Sequence, residues 1–199
     1  MCIIDFNQDP NQIVNILNNL QPIRGICIFI DMCDSTQLKN ECGINWIIKI
    51  GNTFQQALWS SPSIFRNNVI KLIGDEIMLF IPDDSLGNEN YDTILNCLKD
   101  IINDFHNDSD LDITLRLKAS IHYCTDVYKI SFYNKNPNDY YGKDIDLTAR
   151  LIKKAGPKRI ILSNVFYHKL SCNKDKISDV YIEDFKGFNE PTEFRTIQY

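Results

Sequence analysis

Two aspartates, Asp31 and Asp75, have the residue type and the setting for metal chemistry. Asp31 ends an apolar run at residues 25–30, and Asp75 lies in a short connection at 74–76 between two further apolar runs. The first run is typical of a buried strand and the connection of a hairpin, so both carboxylates can lie at one sheet edge. Such a pair offers hard oxygen ligands to Mg²⁺ or Mn²⁺, and two ions there can activate an attacking oxygen and neutralise a leaving phosphate. Because aspartates also occur at ordinary strand ends and turns, the pair alone decides nothing.

Hydrophobic periodicity predicts the elements that position these aspartates. Ser35 and Thr36 can begin a helix, whose apolar stripe continues until Pro62 breaks the pattern. Residues 69–73 and 77–81 are rich in aliphatic side chains and predict the two strands of the hairpin. The chain therefore supplies a strand, a helix and a hairpin around the two carboxylates.

The rest of the chain continues this mixture of helices and strands. Helices are predicted at 11–20, 92–105, 143–155 and 163–170, with polar segments at 107–112 and 134–139. Strands are predicted at 115–123, 127–133, 160–162, 180–185 and 193–197, with a turn at 124–126. This order predicts one α+β domain with a mainly antiparallel sheet and helices on one face.

Composition limits the class of protein. A chain of 199 residues, 44% of them hydrophobic, fits a single core. The net charge of −5 argues against a nucleic-acid partner, which requires a basic face. No stretch reaches the roughly 18 apolar residues of a membrane span, and the start of the chain lacks the pattern of a signal peptide. The 7 cysteines include no C-x-x-C pair and indicate reduced thiols. We therefore expect a cytoplasmic protein without nucleic-acid or membrane partners.

Five short motifs resemble those of the class III nucleotidyl cyclases. They are Phe-Ile-Asp-Met-Cys-Asp-Ser-Thr at 29–36, Lys-Leu-Ile-Gly-Asp at 71–75, Tyr-Gly-Lys-Asp-Ile-Asp-Leu-Thr-Ala-Arg at 141–150, Ile-Ile-Leu-Ser at 160–163 and Phe-Lys-Gly-Phe-Asn-Glu-Pro at 185–191. Each motif is weak alone, but five in this order are specific. The resemblance implies a ferredoxin-like catalytic domain at 25–199, with a mainly antiparallel central sheet flanked by helices, after a lead-in helix at 1–24.

The resemblance also implies roles in binding the metal ions and the phosphates. Asp31 and Asp75 would bind two divalent metal ions, Mg²⁺ or Mn²⁺. Arg150 would stabilise charge on the transferring phosphoryl group. The backbone amides at a helix N-terminus would receive the triphosphate, and they belong to Met32, Cys33, Asp34, Ser35 and Thr36.

Recognition of the base and the sugar follows from the same resemblance. Lys71 and Asp139 align with the pair that reads the base in adenine-specific members. An ammonium can donate to a ring nitrogen and a carboxylate can accept from an exocyclic amine, which both adenine and cytosine carry. Asp146 stands where the family usually has the Asn that orients the ribose. Asp34 stands where the first motif often has Gly, and it adds a negative charge near the phosphates.

The implied activity is conversion of a nucleoside triphosphate into a 3′,5′-cyclic monophosphate and pyrophosphate. In this family one subunit supplies the metal aspartates and the other supplies the Lys and the Arg, which implies a head-to-tail homodimer with composite sites. The compact build resembles the pyrimidine cyclases of the bacterial Pycsar antiphage systems and favours cyclic UMP or cyclic CMP as the product. An adenylate cyclase and a non-catalytic nucleotide-binding homologue are the alternatives.

Overall fold

The computed structural model describes residues 2–5, 7–103, 116–132, 139–172, 174 and 176–198. The strands are β1 Cys2–Ile4, β2 Ile23–Cys33, β3 Val69–Ile73, β4 Glu76–Pro82, β5 Arg116–Phe132, β6 Tyr140–Tyr141, β7 Arg159–Ser163, β8 Tyr181–Glu183 and β9 Thr192–Gln198. The helices are α1 Pro10–Asn18, α2 Ser35–Glu41, α3 Asn45–Trp59, α4 Ser63–Asn67, α5 Asp83–Leu86, α6 Tyr91–Asn103, α7 Lys143–Leu151 and α8 Asn164–Tyr167. A 3₁₀ turn, Ile152–Lys154, continues α7.

One sheet organises the described residues. Its strand order is β3-β4-β2-β5-β7-β9-β8, and β1 and β6 also pair with β5. The central strand β2 is antiparallel to both of its neighbours, β4 and β5. With their connecting helices, β2 to β5 form the split βαβ arrangement of ferredoxin-like domains. Because the pairs of β5 with β1 and β7 are the only parallel ones among the described strands, the prediction of a mainly antiparallel α+β fold is confirmed.

The central strands are apolar at successive positions because both faces of the sheet are covered. On β2, Ile26 and Ile28 pack into a core with residues of α2, α3, α4, α6 and α8. Cys27 and Phe29 point the other way and pack with Ile145 of α7. The prediction of helices on one face only is therefore wrong. A strand with a continuous apolar run requires cover on both sides.

Strand β5 differs from its prediction as two strands joined by a turn. It runs unbroken through residues 124–126, where its pairing with β2 shifts register between Ile23 and Gly25. The amides of Thr125 and Asp126 both donate to Asp144 Oδ2, at 2.7 and 3.1 Å. The Asp144 side chain of α7 therefore provides hydrogen-bond acceptors for the irregular backbone of β5. The polar residues that predicted a turn lie instead at a β-bulge.

The predicted helix between Ser35 and Pro62 is divided into two. Gly43, with φ of +52°, lies between α2 and α3, and this left-handed conformation ends the first segment. The helices predicted at 11–20, 92–105 and 143–155 correspond to α1, α6 and α7. Phe105 and the polar segments at 107–112 and 134–138 lie outside the described residues.

At the start of the chain, β1 extends the sheet beside β5 and was not predicted. The division of the chain at residue 24 stays a prediction. Among the residues that the structure describes, no helix has both the length and the apolar character needed to cross a bilayer.

Candidate active site

The end of β2 and the turn between β3 and β4 bring Asp31 and Asp75 together. Gly74, with φ of +67°, allows the tight turn that contains Asp75. The amide of Met32 donates to the Asp75 carbonyl oxygen at 3.2 Å and to Asp31 Oδ1 at 2.9 Å. The two aspartates therefore lie at one edge of the sheet and share one backbone donor.

Each of these carboxylates has a lysine partner. Lys118 Nζ lies 3.0 Å from Asp31 Oδ2, and Lys39 Nζ lies 2.9 Å from Asp75 Oδ1. The Ser35 hydroxyl donates to Asp75 Oδ2. Burial opposes the charged form of Asp75, but the hydrogen bonds from Ser35 and Lys39 outweigh it and hold the pKa of this carboxyl below its usual value. Asp75 is therefore a carboxylate at neutral pH.

The donor set at this edge fits a hard divalent cation. The side chains of Asp31 and Asp75 are 20% and 24% exposed, so both can be reached from solvent. Their oxygens each attract an ammonium group. Carboxylate oxygens are the ligands that Mg²⁺ and Mn²⁺ prefer. Asp31 and Asp75 are thus the residues that would hold metal ions here.

Glu76 adds a third carboxyl group that sequence reasoning missed. It is the register partner of Asp31 across β2 and β4, so the two side chains share a face. Burial, reinforced by the charges of Asp31 and Asp75, raises the pKa of Glu76 to about 7. Sequence reasoning also missed Lys118. Both residues lie beside Asp31 only through strand register, Glu76 from β4 and Lys118 from β5.

The loop after β2 presents the first turn of α2. Asp34 precedes the helix in a left-handed conformation, with φ of +63°, and its side chain does not cap the helix. Its carboxylate instead pairs with Arg116 at 2.8 Å. This conformation explains why glycine suits the position.

The other loop residues differ in exposure. Ser35 is buried under Asp75, whereas Thr36 is exposed. Met32 is buried, and its amide is engaged by the two aspartates as described above. Cys33 is half-buried, and burial raises the pKa of its thiol, so it is protonated at neutral pH. The phosphate-binding role of this loop stays a prediction.

Lys71 and Asp139 form a direct ion pair, although 67 residues separate them in the sequence. Lys71 Nζ lies 2.8 and 3.0 Å from the two Asp139 oxygens. The Tyr141 hydroxyl donates to Asp139 Oδ2 at 3.0 Å, and the Tyr140 amide donates to Oδ1 at 2.9 Å. The structure thus brings together the two residues aligned with base readers. Tyr141, which orients the carboxylate, was not singled out from the sequence.

Arg150 and Asp146 lie one turn apart on α7. The guanidinium of Arg150 lies over the ring of Phe188, 5.3 Å from its centroid. Asp146 is exposed. Within the described part of the chain, Arg150 forms no ion pair with Asp31 or Asp75. The described contacts therefore do not join Arg150 to Asp31 or Asp75.

Comparison with known proteins gives similarity at the level of structure. No protein-family model and no curated protein matches the sequence. The guanylyl cyclase Cya2 superposes with a TM-score of 0.74 at 12% identity, covering 89% of this chain and 93% of that one. The adenylyl cyclase CyaB from P. aeruginosa superposes with a TM-score of 0.67 at 18% identity, covering 91% of this chain and 96% of that one. An adenylate cyclase from Trypanosoma brucei superposes with a TM-score of 0.66 at 16% identity, covering 90% of this chain and 92% of that one. The chain has the fold of these cyclase catalytic domains.

Proposed function

We propose that this chain, which has the class III cyclase fold, is itself a nucleotidyl cyclase. The observation that carries the proposal is the convergence of Asp31 and Asp75 at one sheet edge, joined through the Met32 amide. Both side chains are partly exposed, so metal ions could reach them from solvent. A non-catalytic nucleotide-binding module would not require both carboxylates, so we place that alternative second.

In the proposed reaction the 3′-oxygen of the ribose attacks the α-phosphorus of the nucleotide. A bond forms between these two atoms, the bond from the α-phosphorus to the bridging oxygen breaks, pyrophosphate leaves, and the proton of the 3′-hydroxyl is released to solvent. Two bound divalent ions would supply activation of the attacking oxygen and neutralisation of the phosphates. Asp31 and Asp75 would hold them, and Ser35 keeps Asp75 ionised and oriented. Arg150 would stabilise the charge on the transferring group, and Asp146 would contact the ribose.

The Lys71–Asp139 pair bears on which base is used. Asp139 is a buried carboxylate that accepts hydrogen bonds from Lys71, Tyr140 and Tyr141. If the Lys71 ammonium turned to a ring nitrogen of the nucleotide, Asp139 would have an acceptor position free for a base that carries an amine. We propose a pyrimidine nucleotide as the substrate, and among pyrimidines this acceptor favours CTP over UTP. The cyclic product would then act as an antiphage signal, as the resemblance to the Pycsar systems implies. ATP is the second candidate because adenine meets the same carboxylate with an amine.

We also propose a head-to-tail homodimer in which each site takes Asp31 and Asp75 from one protomer and Arg150 from the other. The position of Arg150 over Phe188, without an ion pair to either metal aspartate, supports this arrangement. A symmetric dimer of this kind would contain two equivalent composite sites.

The experiment that tests the proposed function is incubation of the purified protein with Mn²⁺ and, separately, ATP, GTP, CTP or UTP. Products are identified by mass. We expect one 3′,5′-cyclic nucleotide together with pyrophosphate, with CTP as the best substrate. Cyclic AMP as the main product would select the adenylate cyclase alternative. Absence of any cyclic product at concentrations where the protein is dimeric would contradict the proposal.

A further inference from the structure

A second polar cluster lies on the α7 face of the sheet, apart from the two aspartates of the candidate active site. It consists of His122, Cys124 and Asp144, each of which offers a ligand atom within 4.8 Å of the other two. His122 and Cys124 are two residues apart on β5 and so share a face, and Asp144 comes from the first turn of α7. His122 is four residues beyond Lys118, or about 13 Å along the strand. The cluster is therefore separate from Asp31.

Asp144 is held so that one oxygen remains directed at the histidine. Its Oδ2 accepts the amides of Thr125 and Asp126 at the β5 bulge. Its Oδ1 lies 3.7 Å from His122 Nε2, which is too long for a hydrogen bond. Two ligands bound to one tetrahedral ion, with bonds of roughly 2.0–2.2 Å, stand about 3.4 Å apart. The observed gap is close to the spacing that a shared metal ion requires.

The histidine ring is oriented from its other side. Ser163 Oγ lies 2.7 Å from His122 Nδ1, and the same oxygen accepts the Phe166 amide at 3.1 Å. In the tautomer that carries its proton on Nδ1, this proton is donated to Ser163 and the lone pair of Nε2 lies on the side of Asp144. Histidines that bind metals usually have their second nitrogen fixed by a hydrogen bond in this manner. The buried Ser163 thus serves as the outer support for a ligand.

Two of the three groups, His122 and Asp144, line a cavity of about 600 Å³ together with Ser163, while Cys124 is buried behind them. Phe188 and Asn189 line the same cavity, from the segment after β8. An ion entering by this route would have room for a water molecule as a fourth ligand. Three protein ligands and one open position form a common zinc arrangement.

From this geometry we propose that His122, Cys124 and Asp144 form a binding site for a transition-metal ion of the Zn²⁺ class. A mixed nitrogen, sulfur and oxygen donor set favours such an ion over Mg²⁺. Binding replaces the thiol proton of Cys124, which is released to solvent. The ion would tie β5 to the start of α7, the helix that carries Arg150, and so would act as a positioning element. The proposal does not rest on the proposed cyclase activity.

Cobalt provides the test, because Co²⁺ substitutes for Zn²⁺ and a thiolate ligand gives a charge-transfer band in the near ultraviolet. Metal-free protein is first saturated with Mg²⁺ and then titrated with Co²⁺. We expect the band to saturate at one Co²⁺ per chain and Zn²⁺ to displace it. Absence of a thiolate band in the wild-type protein would overturn the proposal, as the cluster would then be only a set of hydrogen-bonding groups.

Variants locate the band on this cluster. Cys124→Ala should abolish it, whereas Cys97→Ala, a change at a half-buried cysteine of α6, should leave it intact. Asp144→Asn provides a second ligand change that retains the side-chain shape, and Ser163→Ala should weaken Co²⁺ binding by about 10- to 100-fold. Asp31→Asn should leave the band unchanged because it affects the other site. A band of full strength in folded Cys124→Ala or Asp144→Asn protein would contradict the assignment.

Discussion

At the scale of single residues, the candidate active site depends on charges that are placed in pairs. Asp31 and Asp75 each meet a lysine, and Lys71 meets Asp139. The sequence motifs predicted which acidic residues converge, because each lies at the end of a recognisable strand or turn. They could not predict Lys39, Lys118 or Glu76, since those contacts depend on strand register and helix orientation, which local patterns do not define.

The proposed recognition of the base by Asp139 predicts the effect of one substitution. Asp139→Asn replaces a pure acceptor by an amide that also donates, so the contact to a base amine is weakened. We expect kcat/KM for the preferred nucleotide to fall by about 10- to 100-fold, which corresponds to roughly 1–3 kcal/mol. The other nucleotides should be affected less. The measurement is steady-state kinetics with each of the four nucleoside triphosphates.

The matched control for that change is Asp179→Asn, which alters an exposed aspartate far from Lys71 in the sequence. It should leave the order of preference unchanged. Equal losses on all four nucleotides in Asp139→Asn would assign this carboxylate a general structural role and would remove it from base recognition.

At the scale of elements, two local contacts set the orientation of the functional segments. The start of α7 packs against the β5 bulge, and the left-handed Asp34 turns the chain from β2 into α2. The sequence analysis predicted neither the bulge in β5 nor the left-handed conformation of Asp34. The polar residues at 124–126 resembled a turn because bulges and turns favour the same residue types, and only the pairing partner distinguishes them.

Gly142 allows the close approach of α7 to β5. A Cβ atom at this position would lie 2.2 Å from the Asp126 carbonyl oxygen and 3.1 Å from Val127 Cα, both backbone atoms. We expect Gly142→Ala to lower the free energy of unfolding by about 1–3 kcal/mol, the usual cost of overpacking. Gly156→Ala is the control, since no heavy atom would lie within 4 Å of its Cβ. Urea unfolding of both variants is the measurement, and equal stability losses would contradict this account.

The conformation of Asp34 permits a comparison of two substitutions at one position. Glycine adopts φ of +63° without strain, whereas alanine does not. Both changes remove the exposed ion pair with Arg116, which contributes little to stability. We therefore expect Asp34→Gly to be more stable than Asp34→Ala by about 1 kcal/mol in urea unfolding. If alanine proves as stable as glycine, the left-handed conformation does not occur in solution.

At the scale of the whole molecule, the sequence predicted the central sheet more completely than the elements that cover and extend it. The order of strands and helices was sufficient for a mainly antiparallel α+β sheet, because each central strand carried its own apolar signal. The cover on the second face and the short β1 strand were not predicted. They depend on contacts between segments distant in sequence, and three-residue strands carry too little pattern to recognise.

The proposed dimer predicts complementation between inactive variants. Asp75→Asn and Arg150→Ala should each be inactive alone, because each damages both composite sites of its homodimer. Mixed and allowed to exchange subunits, they should form heterodimers in which one of the two sites is intact. With random pairing, about a quarter of the wild-type activity should return. Mixtures that stay inactive although mixed dimers are detected would contradict the head-to-tail arrangement.

The measurement that tests the central claim most directly compares cyclic product formation by the wild-type protein with that of Asp31→Asn, Asp75→Asn and Asp84→Asn proteins. The assay contains Mn²⁺ and the best of the four nucleotides. Asp84 is an exposed aspartate of α5 and serves as the control. Our account predicts that both metal-site variants stay folded and lose the product, while Asp84→Asn keeps it. Wild-type yields from folded Asp31→Asn or Asp75→Asn protein would show that these carboxylates do not hold the catalytic metal ions.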